Sequence, residues 1–519
     1  MTGRDASQKV EVGLWLTAGL FALLAAANIL LAALYEPFEI WDDGRLAASA
    51  TLSHGMRLYA TPGGDAVMTT MYPPVWALSY VAATWGNSPA EVFLVGRILA
   101  VFFAFFPVLL LLAKRSAAAP LGILGFGLFV FASYRIPPLA YSTFRPHADA
   151  PSLGLALLSC LIALSSQRRR FEGWLMPVCV TLCAWLAVGA KQTMLPLMVA
   201  IMVWVLTVGG VRPLARYVVA AVATGLFVGL LGIGFFPPDA LFLNLVTIPS
   251  RFPLLGRFPF NVARVTHELL ESSWPLLVVL AAGVSVRHAL RREDWQDWLQ
   301  TSAWPLMLLV AFFHLPISYL GRLKLGGWPN NLSPTVYFLM VGVCLILVEP
   351  ERIKALQSRA LAERIRFSAK AFAIAGGLIL GSYWSLDLLT LVNNESIPIN
   401  RSQLAFEYLN AGGDAYFPSR PLAHIMAQDK AFHFAPTVYD WEVIAEVALG
   451  DEQKKHFFPD SPAMVCWERN VWGGQYVLKE YFPTYVRAVS IDRLPTFTCF
   501  VAEGEAKEEI DATVSAPDG

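Results

Sequence analysis

The sequence predicts a polytopic α-helical membrane protein that carries a small soluble α/β domain at its C-terminus. Of the 519 residues, 56% are hydrophobic and only 15% are charged, and the mean hydropathy is +0.52. Because soluble domains carry about 25% charged residues, this composition is typical of a protein with many membrane spans. Long apolar runs recur up to residue 392 and are absent after it. This change separates a membrane part from a soluble part.

About eleven apolar segments approach the 20 or so residues that cross a bilayer. They lie near residues 12–34, 89–113, 117–134, 146–166, 173–190, 193–210, 217–236, 273–287, 301–320, 333–349 and 370–392. With a cytoplasmic N-terminus, the cytoplasmic loops hold 18 Lys and Arg residues and the longer outer loops hold 10. This excess agrees with the positive-inside rule. It places the loop 35–88 and the whole tail on the outer side.

The first outer loop contains two segments that we predict to be helices lying on the membrane. The first, "GRLAASATLSHG", has Ala and Leu at helical spacing, and Gly55 is suited to end it. The second, "YPPVWALSYVAATWG", is too short to cross, and its two prolines favour a first helical turn. Asp42 or Asp43 could serve as the N-cap of the first helix. One carboxylate would then remain for another role.

The tail, residues 393–519, alternates short apolar runs with turn residues. It contains 19 acidic and 10 basic residues and no membrane span. This pattern predicts a small α/β domain, so that residues 1–392 form the membrane domain and residues 393–519 the outer domain. Cys466 and Cys499 both lie in this outer domain, where a disulfide is chemically allowed. The sequence leaves their pairing open.

Ionisable residues concentrate at the outer ends of the predicted spans. Four stretches carry them: "WDDGR" (41–45), "FRPHADAP" (144–151), "VGAKQT" (188–193) and "YLGRLKLGGWPNNLSP" (319–334). A charge at hydrocarbon depth costs about 2.5–3.5 kcal/mol, which makes such residues candidates for function. Interfacial anchoring is the alternative for a residue such as Lys191. Four clusters on one face of the membrane favour a shared polar cavity. The zero net charge of the chain argues against a nucleic-acid partner.

A carboxylate at the outer membrane surface could assist the transfer of a sugar from a polyprenyl phosphate. Phosphate is a good leaving group, so its departure needs nearby cations rather than a proton from a general acid. The acceptor hydroxyl must lose its proton as it attacks, and one carboxylate within hydrogen-bond reach can take it. The chain contains such an aspartate, several outer Lys and Arg residues, and apolar helices that could line a lipid groove.

The order of these motifs resembles the GT-C superfamily of membrane glycosyltransferases, which includes protein O-mannosyltransferases and bacterial lipid A aminoarabinose transferases. The matching features are Asp42-Asp43, "GMRLY" (55–59), "YPPVWALSY" (72–80), Arg97, "RPHAD" (145–149), "AKQT" (190–193), "KLGGWPNNLSP" (324–334) and "GGDAYFPSRPLAHIMA" (412–427). Tyr72 stands where aminoarabinose transferases have a lysine, which argues against that subfamily. The resemblance implies a GT-C-like fold over nearly the whole chain.

The resemblance implies an inverting hexosyl- or pentosyltransferase in a bacterial inner membrane, with its active site facing the periplasm. Asp42 would be the catalytic base, and Asp43 would position the acceptor or a divalent cation such as Mg²⁺ or Mn²⁺, if the reaction uses one. Candidates for the donor phosphate are Arg57, Arg145, Lys191 and Lys324. Candidates for substrate contact are His54, Tyr59, Tyr72, His147, Asp149, Asn330 and Asn331. The acceptor would be a glycan, a glycolipid or a protein.

Other functions remain open at this point. A transporter or flippase for a polyprenyl-linked sugar would use the same charges, but transporters place them near the midplane and show internal repeats. No repeat is visible here. An assembly subunit with an inactive site is the other alternative, and His147 and Asp149 could simply hydrogen-bond each other. A zinc enzyme is disfavoured because no His, Cys or carboxylate cluster has ligand spacing.

Overall fold

A bundle of long helices is followed by a small sheet near the C-terminus. The computed structural model describes residues 3–35, 39–59, 70–168, 173–290, 299, 301–349, 359–394, 398–447, 458–468, 471 and 474–503. The predicted fold class, a polytopic helical protein with a small C-terminal α/β unit, is confirmed within these residues. The predicted boundary between residues 392 and 393 stays a prediction.

The helices of the membrane part follow one another with short connections. They are α1 (Gly3–Tyr35), α2 (Ile40–Ser53), α3 (Val75–Ser79), α4 (Pro89–Arg115), α5 (Ala119–Arg135), α6 (Pro137–Thr143), α7 (Asp149–Arg168), α8 (Leu175–Ala190), α9 (Pro196–Gly209), α10 (Val211–Phe235), α11 (Pro238–Phe242), α12 (Ile248–Arg251), α13 (Phe258–Leu290), α14 (Trp304–Leu323), α15 (Ser333–Val348) and α16 (Arg359–Asn394). A helix lies on each of the predicted apolar segments.

Eight helices within the described residues are long and apolar enough to cross a membrane, or nine if the bent pair α5–α6 forms one span. Helices α7 and α8 are apolar but shorter, which accounts for the difference from the predicted number. The chain is therefore a multi-pass membrane protein. Its apolar helices expose many large hydrophobic side chains, as expected for surfaces that face lipid.

The first outer loop forms the two helical segments predicted for it. Helix α2 ends next to Gly55, whose φ of 69° suits a glycine, and α3 continues into a 3₁₀ turn, Val81–Trp85. The expectation that an aspartate caps α2 is wrong. The helix starts earlier than expected, with Glu39 as N-cap residue, and both aspartates lie inside its first turn and are buried.

A sharp bend between α5 and α6 shapes the next part of the molecule. The two helix axes meet at 102°. Ile136 is extended there, because a residue that precedes a proline is disfavoured in the helical region. Helix α6 then lies against the short 3₁₀ segment Pro329–Leu332. The bend thus brings α6, which leads into the polar stretch 144–151, against the polar stretch 319–334.

The C-terminal part is a four-stranded sheet with flanking helices. Its helices are α17 (Arg401–Asn410), α18 (Pro421–Gln428), α19 (Ala435–Tyr439) and α20 (Gly474–Tyr481), and its strands are β1 (Ala415–Tyr416), β2 (Met464–Trp467), β3 (Tyr485–Val489) and β4 (Thr498–Ala502). The strand order is β1-β2-β4-β3, with only the β1–β2 pair parallel. Cys466 and Cys499 face each other on β2 and β4 and form a disulfide.

The C-terminal part packs directly on α2. Leu422, Ile425 and Phe434 belong to the same buried apolar cluster as the membrane helices. The Phe434 ring lies over Gly44, where an added Cβ would come within 2.7 Å of a ring carbon. The same ring meets Trp41 edge-on at a centroid distance of 5.5 Å. Only glycine at position 44 permits this close approach.

We expect Gly44→Ala to destabilise the protein. Alanine favours a helix over glycine by about 1 kcal/mol, but overpacking against a buried ring costs about 1–3 kcal/mol. The matched control is Gly19→Ala in α1, where an added Cβ meets nothing within 4 Å. Thermal unfolding in detergent should show a lower midpoint for Gly44→Ala and an equal or higher one for Gly19→Ala. Equal midpoint rises for both variants would contradict the Phe434 contact.

Candidate active site

Asp42 is a fully buried carboxylate with one unpaired oxygen. Its exposed fraction is 0%, and it lies in the first turn of α2. Arg45, one turn later, donates from Nη1 to Asp42 Oδ1 over 3.2 Å. Asp42 Oδ2 has no hydrogen-bond donor among the described residues. Since buried polar atoms are nearly always paired, this oxygen is suited to accept a proton or a hydrogen bond from a substrate.

The surroundings of Asp42 act on its pKa in opposite directions. Burial raises the pKa of this carboxyl above its usual value, while the guanidinium groups of Arg145 and Arg45 lower it. Glu39 raises the pKa and Arg97, from α4, lowers it. Burial is the largest of these effects. The result is a carboxylate that is more basic than an exposed aspartate.

Two arginines and a tyrosine form the other half of this site. Arg45 donates from Nη2 to the Tyr141 hydroxyl over 3.0 Å. Both Arg45 and Arg145 stack on the Tyr141 ring, with guanidinium carbons 5.5 and 5.0 Å from its centroid. Arg145 also pairs with Glu39, Nη1 to Oε1, at 2.5 Å. The two cations therefore both lie close to Tyr141 and act on Asp42.

Sequence reasoning missed two members of this group. Arg45 lies in the "WDDGR" stretch but is not among the predicted phosphate ligands, although its spacing of three from Asp42 places both on one face of a helix. That spacing could have identified it. Tyr141 could not be found in this way, because the 102° bend after Arg135 brings it into place.

Four of the predicted residues meet in a buried polar cluster beside this site. Lys191 Nζ donates to Asp149 Oδ1 over 2.6 Å, and Asn330 Nδ2 donates to Asp149 Oδ2 over 2.8 Å. His147 Nδ1 lies 2.5 Å from Asp149 Oδ2. All four residues are at least 96% buried. The alternative in which His147 and Asp149 hold each other agrees with these contacts.

Tyr72 and Tyr59 extend the cluster towards the first outer loop. The Tyr72 ring meets the His147 ring edge-on at 5.5 Å, and its hydroxyl lies 3.5 Å from His147 Nε2. Burial raises the pKa of Tyr72 to about 12, so its hydroxyl stays protonated at neutral pH. Tyr59 donates to the Tyr72 carbonyl over 2.7 Å. Tyr72 thus lies within the predicted group, and Tyr59 supports its backbone.

The Asp43 side chain contacts residues of the C-terminal part of the chain and not the residues around Asp42. Its Oδ2 accepts from the Ser402 hydroxyl over 2.5 Å, and its Oδ1 accepts from the Leu422 backbone N–H over 3.0 Å. Burial raises the pKa of Asp43 to about 6, and the nearby Arg420 acts against this. Both oxygens of Asp43 therefore contact the C-terminal part of the chain.

His54 and Arg57 lie at the far end of α2, away from Asp42. His54 Nδ1 is 2.7 Å from Asp429 Oδ1, at the end of α18. The Asp429 side chain is 76% exposed, and Arg57 is exposed as well. The structure therefore does not bring these two residues into the group around Asp42.

Lys324 and Asn331 lie in the stretch "KLGGWPNN" (324–331), and both donate to backbone carbonyls. Lys324 Nζ donates to the Pro249 carbonyl over 2.9 Å, and Asn331 Nδ2 donates to the Trp328 carbonyl over 3.2 Å. Trp328 stacks on Tyr141 with an interplanar angle of 14°. This stretch contacts the site through Trp328 and Asn330, whereas Lys324 and Asn331 contact other residues.

The described residues contain no group of three or more His, Cys, Asp or Glu side chains that could hold a metal ion. The predicted divalent cation would have to bind between Asp42 and Asp43. Asp43 uses both oxygens on Ser402 and Leu422, and Asp42 uses one on Arg45. The two carboxylates therefore do not converge on a common position, and the residues present do not fit a cation there.

Comparison with solved structures identifies the fold. ArnT from Cupriavidus metallidurans bound to undecaprenyl phosphate superposes with a TM-score of 0.53 and 12% identity, covering 93% of this chain and 98% of ArnT. The chain has the GT-C fold of ArnT. ArnT in the apo state gives the same TM-score and identity, over 96% of this chain and 98% of its own. No family model matches the chain. No curated protein matches it either.

The GT-C fold accounts for the arrangement described above. The likeness extends over nearly the whole chain, so the helices, the first outer loop and the C-terminal sheet all belong to one fold. The predicted fold is thereby confirmed, including its GT-C character. At 12% identity the likeness concerns the fold, and the roles of individual residues follow from their geometry.

We expect Lys191→Met to destabilise the protein strongly. Removing one partner of a buried ion pair leaves an uncompensated charge, here Asp149, at a cost of about 3–5 kcal/mol. Chemical denaturation in mixed micelles should show this loss, and the double variant Lys191→Met/Asp149→Asn should recover part of it. Lys324→Met is the control, because its ammonium group contacts a carbonyl rather than a carboxylate. If Lys191→Met were as stable as the wild type, the ion pair would not be structural.

Proposed function

We propose that this protein is an inverting glycosyltransferase. It transfers a sugar, a hexose or a pentose, from a polyprenyl-phosphate donor to a hydroxyl of a glycan, glycolipid or protein acceptor. The reaction takes place at the outer, periplasmic face of a bacterial inner membrane. The GT-C fold, the membrane helices and the undecaprenyl phosphate bound by ArnT support this reaction class.

The observation that carries the proposal is the unpaired oxygen of the buried Asp42. An acceptor hydroxyl that donates to Asp42 Oδ2 would lose its proton to this oxygen while its own oxygen attacks the anomeric carbon. The raised pKa of Asp42 makes it a better base than an ordinary aspartate. Attack from the face opposite the phosphate inverts the anomeric configuration.

The cations beside Asp42 would receive the leaving phosphate. As the new glycosidic bond forms, the bond between the anomeric carbon and the phosphate oxygen breaks, and the phosphate leaves with the electron pair. Arg45 and Arg145, which both lie close to the Tyr141 ring, can donate hydrogen bonds to this anion. Both are preorganised by the protein, so little reorganisation is needed during the reaction.

The remaining predicted residues have less direct roles in this proposal. Lys191 contacts Asp149 and Lys324 contacts the Pro249 carbonyl, whereas Arg45 and Arg145 act directly on Asp42, so these two arginines are the better placed phosphate ligands. Tyr72, His147 and Asn330 stand beside the cations and can contact the sugar. Asp42 lies on α2, outside the long apolar helices, which favours surface chemistry over the permeation path of a transporter or flippase.

We expect Asp42→Asn to abolish transfer. Loss of a general base lowers kcat by about a hundredfold to ten-thousandfold, and donor affinity should change little because Arg45 and Arg145 remain. The measurement is transfer from a labelled polyprenyl-phosphoryl sugar by the purified protein. Asp239→Asn, at an exposed acid outside the site, is the control. Wild-type kcat in Asp42→Asn would exclude Asp42 as the base.

The wild-type rate should also fall on acidification. A protonated Asp42 cannot accept the acceptor proton, and burial raises its pKa above the ordinary value. The acidic limb of kcat should therefore lie above pH 3.9 or so, the reference pKa of aspartate. A flat profile of kcat down to that pH would argue against a buried carboxylate as the base.

We expect Arg45→Met to weaken donor binding. A charge-assisted hydrogen bond contributes about 1.5–3 kcal/mol, so KM for the donor should rise about tenfold to a hundredfold. Arg57→Met removes a charge from the same loop at an exposed position and should leave KM within about twofold. Equal effects of the two substitutions would show that the loop attracts the donor only through its overall charge.

A further inference from the structure

Asp43 connects the helix of the candidate base to the C-terminal part. Its Oδ1 accepts from the N–H of Leu422, the second residue of α18. Arg420, the N-cap residue of α18, makes no side-chain capping bond. The free N–H groups of a first helical turn need such an acceptor. Asp43 thus caps a helix that lies 379 positions further along the chain.

A buried network fixes the other oxygen of Asp43. The Ser402 hydroxyl that donates to Asp43 also accepts from Arg420 Nη1 over 3.2 Å. Arg420 pairs with Glu468 through two bonds of 2.6 and 3.0 Å, and Arg401 donates to the same carboxylate over 2.9 Å. Burial raises the pKa of Asp43 and the fully buried Arg420 acts against this rise, whereas the Arg401 side chain is 43% exposed.

The C-terminal part also caps a membrane helix. Gln403 Oε1, on α17, accepts from the N–H of Ala90 at the start of α4 over 3.1 Å. Helix α4 carries Arg97, which acts electrostatically on Asp42. His54 and Asp429 form a further contact where α2 and α18 end. Each side of the interface therefore caps a helix of the other: Asp43 caps α18, and Gln403 caps α4.

These contacts determine where the first turn of α2 lies. Asp42 and Asp43 are neighbours in that turn, so a movement of one moves the other. A displacement of about 1 Å in a catalytic group can cost roughly a hundredfold in rate. Among the described residues, Asp42 is held by one side-chain hydrogen bond, from Arg45, so its position also depends on the contacts of its neighbours.

We propose that Asp43 is a positioning residue for the transfer reaction: by binding Ser402 and capping α18, it fixes Asp42 against the acceptor. This inference rests on the proposed function. On this inference, the C-terminal part has a role in catalysis. The residues through which the C-terminal part contacts α2 do not belong to the group around Asp42. This positioning role requires the hydrogen bonds that Asp43 accepts from Ser402 and Leu422. It does not require a negative charge on Asp43 that contacts substrate.

The test compares Asp43→Asn with Asp43→Ala in the full-length protein. Asparagine keeps an acceptor for Leu422 and a polar contact with Ser402, whereas alanine removes both. We expect Asp43→Asn to retain kcat within about fivefold, and Asp43→Ala to lose about tenfold to a hundredfold with little change in donor KM. Asp492→Asn, at an exposed position of the C-terminal part away from α2, is the control and should stay within about twofold.

A catalytic or cation-binding Asp43 predicts a different pattern. It requires the carboxylate, so Asp43→Asn would then lose as much activity as Asp43→Ala, and this result would overturn the inference. Ser402→Ala adds a second check. Its loss should be smaller than that of Asp43→Ala, and the double variant should be no worse than Asp43→Ala alone, because both substitutions break one network.

Hydrogen exchange separates this inference from the proposed function. In Asp43→Ala, peptides covering residues 421–428 should exchange faster than in the wild type, while α15 keeps its protection and shows that the protein is folded. If exchange accelerates but kcat stays at the wild-type level, the positioning role is wrong even when Asp42→Asn is inactive. If Asp42→Asn keeps the wild-type kcat, the proposed function itself fails.

Discussion

The burial of ionised groups is the constraint on which this structure depends. A charge removed from water is tolerated only where opposite charges and hydrogen bonds compensate it. Near α2 the protein meets this constraint in three places: around Asp42 with arginines, around Asp149 with Lys191 and Asn330, and around Asp43 through Ser402 and Arg420. Of the three aspartates, only Asp42 retains a buried oxygen without a donor among the described residues.

The adjacent Asp42 and Asp43 illustrate how a helix separates neighbouring side chains. Successive residues in an α-helix point about 100° apart, because one turn takes 3.6 residues. Asp42 therefore faces Arg45 and the polar site, while Asp43 faces the C-terminal part. In the proposed reaction, the adjacent pair divides into a base, Asp42, and a positioning residue, Asp43.

The GT-C fold is retained here with few identities to ArnT. Membrane helices need apolar surfaces of sufficient length, and many sequences satisfy that requirement. The polar groups are more restricted, because each buried one needs a partner at a defined distance. We therefore expect substitutions to be least tolerated at the contacts around Asp42, Asp43 and Asp149, and apolar exchanges to be better tolerated on the exposed apolar helix surfaces.

The sequence by itself determined the membrane class, the order of the apolar helices, the two helices of the first outer loop and the α/β character of the tail. These features depend on local hydropathy and turn residues, which act over one or two helical turns. It also placed Asp42, His147, Asp149 and Lys191 among the candidates, because charged residues at span ends are costly without a purpose.

Only the tertiary structure decided which of these residues meet. The N-cap of α2, the bend that brings Tyr141 to Arg45, and the bonds from Asp43 to Ser402 and Leu422 depend on contacts between distant segments. The pairing of Cys466 with Cys499 likewise required the strand register. A linear pattern carries no information about such distances, because the packing of whole helices determines them.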